Sequence, residues 1–127
     1  LVRPVRADAT GGSQGYAQLV CMIGDFTSTA PTAAAQTALV KVLAWLAGRD
    51  LVSLADGATT TFVSRGSNRW PAGTTVTTPT IAGHRDMSYT ACPGDTLYPL
   101  LPDIRRRARD QFTVWKPVIR PAIRLTP

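Results

Sequence analysis

The sequence predicts an α/β layer arrangement, on three observations. Residues 16–23, Tyr-Ala-Gln-Leu-Val-Cys-Met-Ile, are apolar apart from one Gln and lie between Gly15 and Gly24, as a buried strand would. Leu39, Val42, Leu43, Leu46 and Ala47 recur at helical spacing, with Ala35 one turn earlier. Residues 59–64 and 74–81 are rich in Thr, Val and other β-prone types. Strands alternating with helices argue for packed layers of sheet and helix, and pattern alone specifies the fold no further.

The elements follow in order. Residues 1–13 read as irregular, with a loop signal at Gly11-Gly12-Ser13. The apolar run 16–23 is the first strand, and 25–32 is a turn rich in Thr, Ser and Pro. The helix comes next, with Thr29 or Thr32 as its cap and Gly48 where a terminating glycine would sit. Its apolar stripe needs a sheet to cover it. Residues 55–58 are a turn, 59–64 a strand, and 65–73 a long polar loop containing Trp70. Pro79 breaks the segment 74–81 or marks an edge strand. Residues 83–95 form another loop, after which Pro99 and Pro102 delay the next element. Ile104, Ala108 and Phe112 predict a final helix, with Asp103 near its positive end. Pro117, Pro121 and Pro127 mark a tail, linker or disordered end. Trp45 belongs to the core or to a helix flank. There is no internal repeat.

Composition bounds the function. The 127 residues suit one domain. No apolar run approaches the ~20 residues that cross a bilayer, and the first eight residues show no signal-peptide core. Leu1 is not an initiator methionine, so a processed or cut piece of a longer chain is expected. Of the net charge of +6, residues 101–127 carry +5, from seven basic residues against Asp103 and Asp110. A basic end attracts anions of any kind. The simpler reading is a solvated helix face, and no nucleic-acid partner is expected. Cys21 and Cys92 are the two cysteines, and their spacing does not say whether they pair. Cys21 lies in an apolar run and Cys92 in a polar loop, where chemistry is the better reading.

The informative stretch is 81–95, which holds His84, the one His of the chain, and Cys92 eight residues later. Imidazole nitrogen and thiolate sulfur both bind zinc. Pro93-Gly94 favours a turn that would fold the loop back on itself. Taken alone, such a pair is more often an ordinary surface pair than a metal site.

The surrounding block adds to this. Gly83-His84-Arg85-Asp86, then Thr90-Ala91-Cys92-Pro93-Gly94-Asp95 and Leu97-Tyr98, resembles the signature of the peptidoglycan recognition proteins, also called type 2 N-acetylmuramoyl-L-alanine amidases. Upstream, Ile23-Gly24-Asp25-Phe26 resembles the end of that family's central strand. Ser67 to Thr74 resembles a loop of its actinobacterial members, and Leu101-Pro102-Asp103-Ile104-Arg105 its closing helix. The resemblance covers roughly residues 14–110. It implies a mixed central β-sheet flanked by helices, with the N-terminal part of the fold missing. The implied division is an irregular segment 1–13, a partial amidase domain 14–112 and a Pro/Arg-rich tail or linker 113–127.

The resemblance also implies roles. His84 matches the second histidine ligand of a catalytic Zn2+, and Cys92 the third ligand, a thiolate once metal binds. Thr90 matches a residue that helps stabilise the oxyanion. Zinc-activated water would then cleave the amide between the lactyl group of N-acetylmuramic acid and L-alanine. Non-catalytic members replace the Cys, so Cys92 favours the amidase branch. A peptidoglycan-binding module without catalysis is the alternative. The expected partner is peptidoglycan, met by a monomer that is secreted or held in the cell wall.

The resemblance breaks at the first ligand. The family places that His, and a catalytic Tyr after it, in an earlier strand that would precede Leu1. Three explanations are open: a fragment of an intact enzyme, a degenerate gene, or a carboxylate such as Asp25 or Asp86 in place of the His. Asn68, Arg69 and Trp70 read as contacts to glycan or stem peptide, or equally as an ordered surface loop. Arg85 reads as a partner of a substrate carboxylate or of Asp86 in a structural salt bridge.

Overall fold

Thr32 sets the start of the first long helix. Its backbone is extended and its hydroxyl accepts from the Ala35 N–H at 3.2 Å, satisfying a donor that the helix itself leaves unpaired. Of the two caps the sequence allows, Thr32 is the one used. The helix, α1, spans Ala33–Arg49. Gly48 does not end it but lies buried inside it. The chain reverses at Leu51, with φ 57°, while Asp50 N–H bonds Leu46 O and Val52 N–H bonds Ala47 O, each at 2.9 Å. That arrangement closes the last turn in the manner usual for a glycine.

The chain is known here from a computed structural model, which describes residues 11–123. The expected irregularity of residues 1–10 and the end at Pro127 lie outside the described residues. Gly11–Tyr16 forms a 3-10 helix that docks against the polar loop: Gly12 N–H bonds Gly66 O at 2.9 Å and the buried Ser13 hydroxyl accepts from Arg65 N–H at 3.1 Å.

Two strands, β1 (Thr59–Val63) and β2 (Thr75–Pro79), pair antiparallel with Thr61 opposite Thr77 and Val63 opposite Thr75. The Thr61 and Thr77 hydroxyls meet at 2.8 Å. Val76 and Thr78 of β2 are buried, whereas β1 is mostly exposed. Pro79 closes β2 at the end of the sheet, where its missing N–H costs no ladder bond.

Helices with a small antiparallel sheet give a mixed α/β class. The larger mixed sheet expected at the centre is not formed among the described residues, whose sheet has two strands. Residues 17–22, expected as a buried strand, have no regular structure. Leu19 and Val20 are about two-fifths exposed and Ile23 fully so. A strand needs a neighbour for its N–H and C=O groups, and no described strand lies beside this run. The run is anchored at its ends: Tyr16 packs on Phe62 with its hydroxyl accepting from Arg65 Nε, and Met22 and then Phe26 pack on the core.

The core lies between α1 and the last helix, α3 (Leu101–Ile123), around Val40, Leu97, Leu101 and Ile104. The buried stripe of α1 is Val40, Ala44, Ala47 and Gly48. The expected Val42 is 43 % exposed, and Trp45 is a flank residue beneath the Arg49 guanidinium. Leu39 and Leu43 of the expected stripe also pack on this core, so the buried face is rotated only partly from the most apolar one. Pro102 falls in the first turn of α3, where an N–H has no helical partner anyway. The helix continues through residues 113–123, which the sequence assigns to a tail. Many of its arginines are engaged: Arg106 with Asp103 and Asp110, Arg109 with Asp56, and Arg107 with Gln36 and Thr37 of α1. Among the described residues, no helix is long and apolar enough to cross a membrane.

Candidate functional site: the loop from His84 to Cys92

His84 opens a single helical turn, α2 (His84–Met87). Gly83 before it cannot be replaced freely: an added Cβ would lie 2.9 Å from the Tyr98 ring and 3.0 Å from Leu101. Asp86 braces the turn from inside. One carboxylate oxygen accepts from Gly83 N–H at 2.8 Å, the other from the Tyr98 hydroxyl at 2.6 Å. That bond to the carboxylate, with some burial, raises the Tyr98 phenol above its ordinary pKa.

Arg85 straps the loop. Its guanidinium donates to Ala91 O and to Asp95 Oδ1, the latter at 2.6 Å, and lies over the Tyr98 ring. Its ion-pair partner is thus Asp95, while Asp86 is occupied elsewhere.

Cys92 is exposed and unpaired to Cys21, which is also exposed and free. Its N–H donates to Thr90 Oγ1 at 3.2 Å. The Cys92–Pro93 peptide is cis and Gly94 has φ 101°. Gly94 is fitted against Phe26, whose carbonyl atoms would lie 2.3 Å from an added Cβ. The Phe26 carbonyl also accepts from Thr96 N–H at 3.0 Å and from the Thr96 hydroxyl at 2.6 Å. The end of the segment 23–26 is thereby docked on the turn after Cys92.

Residues 67–70 grip the same loop from the other side. Ser67 Oγ donates to Met87 O at 2.9 Å, Trp70 Nε1 to Asp86 O at 2.9 Å, and Arg69 Nη1 to Arg85 O. Asn68 makes two bonds to one residue: Oδ1 accepts from Tyr89 N–H at 2.8 Å and Nδ2 donates to Tyr89 O at 3.1 Å. Asn68, Arg69, Trp70 and Arg85 therefore sit together around the loop, and all four are engaged in holding it. The spacing of residues does not reveal this, because the contacts run from side chains to distant main-chain oxygens.

The donor set falls short for zinc. A catalytic zinc usually has three protein ligands and an open position, and no group of three or more His, Cys, Asp or Glu suited to a metal occurs among the described residues. The carboxylates that the sequence offers as a replacement ligand, and Asp95 near them, are already engaged. Asp25 Oδ1 accepts from Thr27 N–H at 2.9 Å, which holds its carboxyl below the ordinary value. Asp86 and Asp95 serve Gly83, Tyr98 and Arg85. A groove of about 340 Å³ between the turn at 54–58 and the start of α3 includes none of the candidate site residues.

Comparison of the chain with family models, with curated proteins and with solved structures finds no match in any of the three.

Proposed function

We propose that this chain is a peptidoglycan-directed domain of the type 2 amidase kind, whose loop 83–95 presents His84 and Cys92 as two ligands of a zinc site. The observation that carries the reading is the fixation of that loop. Arg85 and Asp86 close it from within, residues 67–70 hold its backbone from outside, and Phe26 seats its end. Both candidate ligands stand on a supported frame, as metal sites require. Thr90 Oγ1 accepts from Cys92 N–H and keeps its own proton for a developing oxyanion. The reaction class is hydrolysis of the N-acetylmuramoyl-L-alanine amide, and its substrate places the protein outside the cell or in the wall. With two donors among the described residues, the third ligand would come from elsewhere, and no catalytic step is derived through the metal.

The shortfall favours one second reading, a module that binds peptidoglycan without cleaving it. Purified peptidoglycan incubated with the protein and Zn2+ separates the two. Release of peptides with a free L-alanine amino terminus, abolished by His84→Ala and by Cys92→Ser, is expected for the amidase. Retention on the wall with no such release means the binding module. Neither retention nor release would overturn both.

A further inference from the structure

We propose that Tyr89 is a sugar-stacking residue, a flat contact for a pyranose ring of the glycan strand, on the loop that carries both candidate zinc ligands. The proposal rests on the peptidoglycan reading above and names the part of the substrate the loop receives. Tyr89 is 71 % exposed, yet it is the residue whose backbone Asn68 holds at both its N–H and its C=O. A side chain so exposed gains little for the fold, while the two bonds fix the main chain from which its ring projects. The Arg69 guanidinium lies 5.9 Å from the Tyr89 ring centre and 5.1 Å from that of Trp70, and donates to Arg85 O. The ring thus stands on a planar cation that is itself anchored to the loop backbone. Tyr offers a large rigid face with few rotatable bonds, and a loop already ordered loses little freedom when a ligand lands on it. A sugar ring, apolar on its C–H face and polar at its rim, matches an exposed aromatic face with a hydroxyl at its end. A charged or extended peptide has no such flat face to offer.

The test uses the intact protein with a tetramer of N-acetylglucosamine as the glycan probe, and purified peptidoglycan alongside. In the wild type, proton NMR should show the Tyr89 ring resonances shifting on addition of the tetramer, a reading that needs no variant. Tyr89→Ala should weaken tetramer binding at least about tenfold, with Tyr89→Phe close to wild type, since the ring face and not the hydroxyl makes the contact. Unmoved Tyr89 resonances, or equal binding by Tyr89→Ala, in a protein that retains or cleaves peptidoglycan would overturn this assignment and leave the proposed function standing. Transfer of the response from the tetramer to a free stem peptide would do the same. Tyr89-dependent binding of the tetramer without any action on peptidoglycan would uphold the stacking residue and overturn the proposed function. Binding of neither would overturn both.

Discussion

The Tyr98 hydroxyl donates to Asp86 Oδ1 at 2.6 Å while Asp86 Oδ2 takes the Gly83 N–H at 2.8 Å. One carboxylate therefore ties the turn that presents His84 to the segment that leads into α3. Asp86→Ala leaves both donors without their acceptor and is expected to destabilise the fold by about 2 kcal/mol, and Tyr98→Phe by about 1 kcal/mol. Urea unfolding measures both. An Asp86→Ala protein as stable as its parent would mean that the brace contributes nothing.

The same pair has a signature in alkali. The folded Tyr98 phenol holds its proton more tightly than the unfolded chain does, because its bond to Asp86 and its partial burial disfavour the phenolate. Its contribution to stability is therefore complete below about pH 10, the unfolded value, and is lost as pH rises through the higher folded value. Thermal midpoints followed upward from about pH 9 should fall more steeply for the wild type than for Tyr98→Phe. Parallel curves would count against the coupling.

Gly94 combines a φ of 101° with a Cβ position 2.3 Å from the Phe26 carbonyl. Gly57 has φ 69° and open space around it. Gly57→Ala should thus cost only its backbone strain, about 1–2 kcal/mol. Gly94→Ala should cost more and should also lift the turn at 94–96 away from Phe26. Comparing the two unfolding midpoints isolates the close approach from the strain.

Two apolar positions separate the face α1 buries from the face its sequence marks. Ile104 is fully buried at the α1–α3 contact, while Val42 is 43 % exposed. Ile104→Ala is expected to cost about 3 kcal/mol, and Val42→Ala no more than about 0.5 kcal/mol. A larger effect at Val42 would return the helix to the orientation read from its periodicity.

Asn68→Ala removes the acceptor of the Tyr89 N–H. Hydrogen exchange at that amide should accelerate by about tenfold or more, with the α1 amides unchanged. An unaltered Tyr89 amide would show that the loop keeps its shape without the grip.

Local signals were legible and long-range ones were not. The presence of α1, a Thr cap at 29 or 32, the two β segments and the loop holding His84 and Cys92 all follow from neighbours in sequence. The buried face of α1 follows only in part: Leu39, Leu43 and Ala47 meet the core as the periodicity predicts, but the burial of Ala44 and Gly48 does not show in a pattern of large apolar residues. The run 16–23 has the composition of a buried strand, but a strand also requires a partner, which composition cannot supply. Pro117 and Pro121 read as breakers, yet α3 continues to Ile123. The roles of Asn68 and Trp70 were hidden because their bonds reach Tyr89 and Asp86, 16 or more residues away.

Residues 67–70 reach across to the carbonyls of Arg85, Asp86, Met87 and Tyr89, groups that any amino acid supplies. The identity of the side chains at 87 and 89 is therefore decoupled from the shape of the segment that bears them. A library randomised at those two positions would keep one backbone while displaying many surfaces, which makes the loop a natural place to redirect recognition without rebuilding the fold.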